Sequence, residues 1–202
     1  AEYSDAAVHF SHVTTKGGVE LIRQAKKKKL KITASVPAHH LLIPDDSVES
    51  FDANFKVRPP FRNKTHIDAL IKGLKDGTID AIISDHEPQE IESKFSEFSE
   101  AEFGISALET TFSAAFEALR NKMDITEIIS KLTTNPRAIL GIEQAVIEEG
   151  NKAELTIFSP SINWELTKEG LKSQSKNSPL LGATVQGLPI AIINNNQLVI
   201  SN

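Results

Sequence analysis

All six histidines fall between His9 and His86, and four of them stand at the carboxyl ends of apolar runs. His12 follows the run at 7–11, His39 and His40 follow the run at 30–36, and Asp85 with His86 follows the run at 79–84. Imidazole nitrogen and carboxylate oxygen are donors that zinc accepts, and the complete absence of cysteine removes thiolate sites, disulfides and cysteine nucleophiles. A carboxylate beside a metal-activated water can also serve as general base, because the metal brings that water's pKa toward neutrality. The competing reading of His9, His39, His40 and His86 is that they are satisfied polar groups of loops, and spacing alone leaves both open. His66 lies inside a helical pattern and is expected at the surface.

Such a convergence needs parallel strands, whose carboxyl ends share one face of an α/β fold. The apolar run at 7–11 gives the first strand. Gly17 and Gly18 then open a helical periodicity over 19–25, which ends in Lys26 to Lys29, cations that suit a helix C-terminus and read as a solvated end. Leu30, Ile32 and Ala34 alternate in a second strand over 30–36, a helix at 67–74 stops at Asp76-Gly77, and a nearly all-apolar third strand at 79–84 is expected to be buried on both faces. The order predicts βαβ units and a parallel sheet. Helical patterns follow at 108–121, 125–132 and 135–140, after a charged, aperiodic stretch at 87–102 that reads as a long functional or mobile loop.

Composition shifts near Gly150, which divides the chain into residues 1–149 and 150–202. The second part predicts strands at 153–158 and 183–200, with Asn194-Asn195-Asn196 as a hairpin turn because Asn tolerates positive φ. The 202 residues, 40% hydrophobic and 24% charged, describe a soluble globular chain that can bury a core without staples. A formal charge of -5 argues against an electrostatic nucleic-acid binder. No apolar run approaches the ~20 residues of a membrane span, and no signal-peptide pattern opens the chain, so no membrane association and a cytoplasmic location are expected. The chain begins Ala1-Glu2-Tyr3-Ser4-Asp5 and enters its first strand almost at once, which suggests part of something longer.

Five ordered motifs carry a family resemblance. They are Val8-His9-Phe10-Ser11-His12-Val13-Thr14-Thr15, Asn54-Phe55-Lys56-Val57-Arg58-Pro59-Pro60-Phe61-Arg62, Asp80-Ala81-Ile82-Ile83-Ser84-Asp85-His86-Glu87-Pro88-Gln89, Phe103-Gly104-Ile105-Ser106-Ala107-Leu108-Glu109-Thr110 and Thr133-Thr134-Asn135-Pro136-Arg137-Ala138-Ile139-Leu140-Gly141. With Ala153-Glu154-Leu155, Trp164 and Lys176-Asn177-Ser178-Pro179 in the tail, the whole chain resembles the C-terminal half of class I dihydroorotases. The resemblance implies a metal-dependent amidohydrolase on a (β/α)8 TIM barrel, here strands six to eight with their helices, followed by part of a small β-sandwich domain. It implies reversible hydrolysis of dihydroorotate to N-carbamoyl-aspartate in pyrimidine biosynthesis, normally with zinc. By the same resemblance His12 is a metal ligand, Asp85 is both metal ligand and catalytic proton carrier, and Arg58, Gln89, Phe103 and Gly104 occupy substrate-binding positions.

Two of those positions depart from the family pattern. Arg58 stands where an Asn is usual before Pro-Pro, and Gln89 where a His closes the strand-eight motif. Arginine is donor-only and permanently charged, whereas glutamine cannot carry charge near neutrality. Ala107 in place of a Gly is a smaller change. The family's remaining ligands belong to barrel strands one, four and five, so this chain supplies two where a catalytic zinc wants about three. The chain alone is therefore expected to be inactive. One reading has the missing N-terminal half completing the enzyme; the other makes the protein a catalytically degenerate scaffold or binding subunit. Three strands of a barrel also leave open edges, which predicts self-association or association with the missing half.

Overall fold

In a computed structural model describing residues 1–200, β1 (Val8–Phe10), β2 (Ile32–Pro37) and β3 (Ala81–Ile83) form a parallel sheet in the order β1-β2-β3. Val8 pairs with Ile32 and Ser35 with Ala81, so β2 is central and flanked on both sides. Each crossover is helical: α1 (Lys16–Lys27) joins β1 to β2, and α2 (Lys64–Lys75) lies between β2 and β3. Capping fixes where both begin, since the Thr15 hydroxyl accepts from the Gly18 N–H and the Asn63 side chain from that of His66. The helices turn Val19, Ile22, Ile67, Leu70, Ile71 and Leu74 onto a core that includes Ala34, Val36 and Ile79.

β3 is shorter than the apolar run at 79–84 suggests. Ile79 is buried, but its N–H turns back to the Gly73 carbonyl, and the Asp80 N–H bonds to Ala34. The Asp80 carboxylate accepts the Ala34 N–H and takes both oxygens to within 2.7 Å of the Lys26 ammonium. Lys26 is therefore tied to the sheet, not part of a freely solvated helix end. Lys131 Nζ and Asn135 Nδ2 donate to the carbonyls of Ile79 and Asp80, so the backbone entering β3 is fully paired.

The stretch at 87–102 is not a featureless loop, because it contains the short helix α3 (Ile91–Lys94). The Lys94 ammonium donates to the carbonyls of Ala53, Lys56 and Glu102 and ties this segment to the one before α2. Burial pulls its pKa down to about 8. A 3-10 turn at Leu108–Thr110 leads into α4 (Thr111–Leu119), followed by α5 (Ile125–Leu132), which opens on an Asp124–Glu127 capping box, and α6 (Thr134–Leu140).

The C-terminal strands β4 (Leu155–Glu165), β5 (Thr184–Asn194) and β6 (Gln197–Ile200) form an antiparallel sheet in the order β4-β5-β6. Asn195 and Asn196 turn the β5–β6 hairpin at φ 50 and 62°. This sheet meets the rest of the chain at α4. The Gly187 carbonyl accepts from Ser113 Oγ at 2.6 Å and Trp164 Nε1 at 3.1 Å, while Phe112 packs edge-on to Phe158.

Gly187 sits at φ +94°, and a Cβ there would lie 3.0 Å from the Phe112 ring and 3.1 Å from that of Phe116. Gly182, at φ +78°, has open space around it. Gly187→Ala should therefore lower stability more than Gly182→Ala, by about 1–3 kcal/mol, read from denaturant melts. Equal losses would mean that the aromatic contact does not hold the joint.

Candidate active site

His12 and Asp85 each stand two residues beyond a strand end, after β1 and β3, and both have positive φ, 55 and 50°. Few side chains occupy that region without something to hold them. Here His12 Nε2 lies 2.7 Å from Asp85 Oδ1, so the two residues flanking β2 meet across its carboxyl end. The Asp85 side chain is 8% exposed and that of His12 is 36% exposed, which leaves the pair open toward solvent from the histidine side. His39, in the 3-10 turn Ala38–Leu41 after β2, brings Nε2 to 3.6 Å from Asp85 Oδ2. All three parallel strands thus deliver a polar side chain to one place.

The other histidines are each hydrogen-bonded through at least one ring nitrogen, although Nδ1 of His40 is buried without a partner. His9 bonds the hydroxyls of Thr33 and Ser35, and His86 Nδ1 accepts from the N–H groups of Ala107 and Leu108. His66 is half-buried, and its Nδ1 accepts from the Lys16 N–H, so it joins the two crossover helices instead of standing free at the surface. His40 donates from Nε2 to the Pro59 carbonyl and so anchors the loop that carries Arg58. Burial pushes the pKa of His40 down to about 4 and that of His39 well below the ordinary histidine value.

Arg58, Gln89, Phe103 and Gly104 are neighbours. Gln89 Nε2 donates to the Phe103 carbonyl at 2.8 Å, and the Arg58 guanidinium lies 5.1 Å from the Phe103 ring centroid. Lys56 Nζ is 4.7 Å from the same centroid, so two cations face one ring. Gly104 has φ +113°, and a Cβ there would fall 2.6 Å from the Glu87 carbonyl oxygen, which excludes any other residue without a backbone shift. Its carbonyl accepts from Asn177 Nδ2, while Asn177 Oδ1 accepts the Gln89 N–H and the Asn177 carbonyl accepts that of Ser106. Asn177 and Lys56 were visible in the sequence only as members of motifs. Nothing in local spacing joins Asn177 to a glycine 73 residues earlier.

One imidazole nitrogen and one carboxylate oxygen converging at 2.7 Å fit a zinc ion in donor type. Among the described residues no group of three or more His, Cys, Asp or Glu side chains is placed to hold a metal. Among the described residues, the donors in contact there are His12 and Asp85.

A parallel βαβαβ sheet with a histidine and an aspartate converging beyond its strand ends is the arrangement of one side of an α/β barrel, and the chain belongs to the amidohydrolase family, whose model matches residues 4–190. Within that family it is similar to dihydroorotases. That of Trichlorobacter lovleyi is 37% identical over 202 residues, covering 100% of this chain and 48% of the relative. That of Endomicrobium trichonymphae is 40% identical, covering 98% and 48%. The chain spans about half the length of the curated relatives it matches. Among solved structures, L-hydantoinase (dihydropyrimidinase) from Arthrobacter aurescens superposes with a TM-score of 0.90 at 25% identity, covering 99% of this chain and 46% of that one. Dihydropyrimidinase from Brevibacillus agri NCHU1002 superposes equally well, at 0.90 and 22% identity, over 100% of this chain and 46% of its own. The fold is of the metal-dependent hydrolase TIM-barrel type.

The depressed pKa of His40 makes stability depend on acid. The folded state refuses a proton that the unfolded chain accepts below about pH 6.5, so its stability is whole above that pH and is lost as pH falls toward 4. The loss should be on the order of 3 kcal/mol at the bottom of this window. Denaturant melts at pH 7 and pH 4.5 should show a smaller drop in His40→Gln than in the unaltered chain; an identical drop would mean that His40 is not the group protected.

Proposed function

We propose that this chain is the C-terminal half of a dihydroorotase-type cyclic amidohydrolase. Residues 1–149 are barrel strands six to eight with their helices, and 150–202 are part of the small β-sandwich domain. The observation that carries the reading is the His12–Asp85 contact beyond the ends of β1 and β3, because both residues also stand at the family's ligand positions in their motifs. The similarity to dihydroorotases about twice as long supports it.

In this reading His12 and Asp85 hold zinc together with ligands from the N-terminal half. When bound, the metal supplies Lewis acidity that activates water toward the ring amide carbonyl. Asp85 takes the proton of the attacking water and passes it to the ring nitrogen as the C–N bond breaks, which releases N-carbamoyl-aspartate. Phe103 and Gly104 present backbone to the ring, and the Gly104 position admits the close approach. Arg58 is exposed and offers a planar guanidinium for a substrate carboxylate, with Gln89 near it at Phe103. β1 and β3 each pair only with β2 among the described residues, and Phe10 is 46% exposed, so these edges suit the missing half or a second copy. No described helix is long and apolar enough to cross a membrane, and we place the reaction in the cytoplasm, on a small molecule and without nucleic acid.

A second reading, a catalytically degenerate scaffold subunit, is favoured by one observation. The two side chains that depart from the family pattern both engage Phe103, Gln89 through its carbonyl and Arg58 over its ring. Dihydroorotate hydrolysis separates the readings, measured with zinc content on the 202-residue chain and on a longer protein that carries it as its C-terminal half. We expect no turnover from the chain alone, and turnover from the longer protein that Asp85→Ala abolishes. Zinc bound without turnover in the longer protein would favour the scaffold. Turnover by the chain alone, lost in Asp85→Ala, would overturn the half-site account.

A further inference from the structure

Five of the six histidines hydrogen-bond through a ring nitrogen, whereas neither nitrogen of His39 has a partner. The residue is only 2% exposed, so water does not compensate, and an unpaired buried donor costs about 1–3 kcal/mol. Its ring cannot turn away freely: the His40 ring lies 4.6 Å off, and Phe61 meets it edge-on at 5.7 Å. That packing directs Nε2 at Asp85 Oδ2, 3.6 Å away, while the other carboxylate oxygen takes His12 at 2.7 Å. A movement of about 0.5 Å would bring the pair into hydrogen-bond range.

We propose that His39 is a positioning residue for Asp85, presenting an Nε2–H to Oδ2 and so fixing the rotation of the carboxylate that leaves Oδ1 facing His12 and the open side of the site. A carboxylate held at one oxygen alone can swing about its terminal torsion, which has a broad, two-fold profile. One held from both sides keeps a single oxygen toward the metal and proton positions. A phenylalanine would fill the same space between His40 and Phe61 but would not restrain the carboxylate. The proposal rests on the reading of Asp85 as the site carboxylate.

The test is histidine-selective nitrogen-15 NMR of the 202-residue chain, which needs neither metal nor turnover. His39 is expected as the Nε2–H tautomer, with its Nε2 proton signal moving upfield in Asp85→Asn while the His86 signals stay in place. The His12 ring signals should change in His39→Phe and be restored in His39→Gln, whose amide keeps a donor, with thermal melts confirming that both variants fold. An Nδ1–H tautomer, an Nε2 signal indifferent to Asp85→Asn, or a His12 response equal in the two His39 variants would overturn the proposal. These outcomes are independent of activity. Failure of the longer protein to hydrolyse dihydroorotate, with the tautomer as expected, would count against the hydrolase reading alone.

Discussion

The arrangement depends on one contact made across a strand: His12 from beyond β1 meets Asp85 from beyond β3 over the end of β2. Neighbouring strands lie about 4.8 Å apart, so the two backbones start about 10 Å from each other and both side chains must turn inward. The left-handed backbone at both residues accomplishes that turn. It works only in one register, because a slip of one residue in either pairing would send the side chain to the opposite face. Asp80 guards that register on the β3 side by binding the Ala34 N–H of β2 and Lys26 of α1 together.

A second layer of control comes from the C-terminal part. Glu109 accepts the N–H groups of Lys172 and Ser173, and Asn177 then grips Gly104, Gln89 and Ser106. The strap between β4 and β5 is thus fastened at two points to the segment bearing Phe103. The antiparallel sheet begins at Leu155, after the change of composition near Gly150, yet the backbone at Gly104 is held by Asn177 of the strap beyond it. This strap has a structural task there even though it supplies none of the residues read as catalytic.

Much of this was legible from residue types alone. Alternation and helical periodicity gave the parallel strands and their crossovers, and the paired asparagines gave the hairpin, because each depends on neighbours close in sequence. Polar residues after apolar runs put His12, His39, His40, Asp85 and His86 at strand ends, and the family resemblance singled out His12 and Asp85 among them. What the sequence hid were roles set by distant partners. β3 is short because the Ile79 N–H goes to Gly73 and the carbonyls of Ile79 and Asp80 go to Lys131 and Asn135, not to β2, and Lys26 looked solvated because its partner Asp80 lies far along the chain. Helix α3 is only four residues long and has no periodicity to show. Spacing could not separate His39 from His40, although one faces Asp85 and the other the Pro59 carbonyl.

The most direct measurement is a double-mutant cycle between His12 and Asp85 in the metal-free chain, with unfolding free energies from denaturant melts of the unaltered chain, His12→Ala, Asp85→Ala and the double variant. A contact between strand ends held as described predicts a coupling of about 1 kcal/mol or more in favour of the pair. Strict additivity, within about 0.3–0.5 kcal/mol, would mean that the two residues do not meet and that the sheet does not assemble half a metal site.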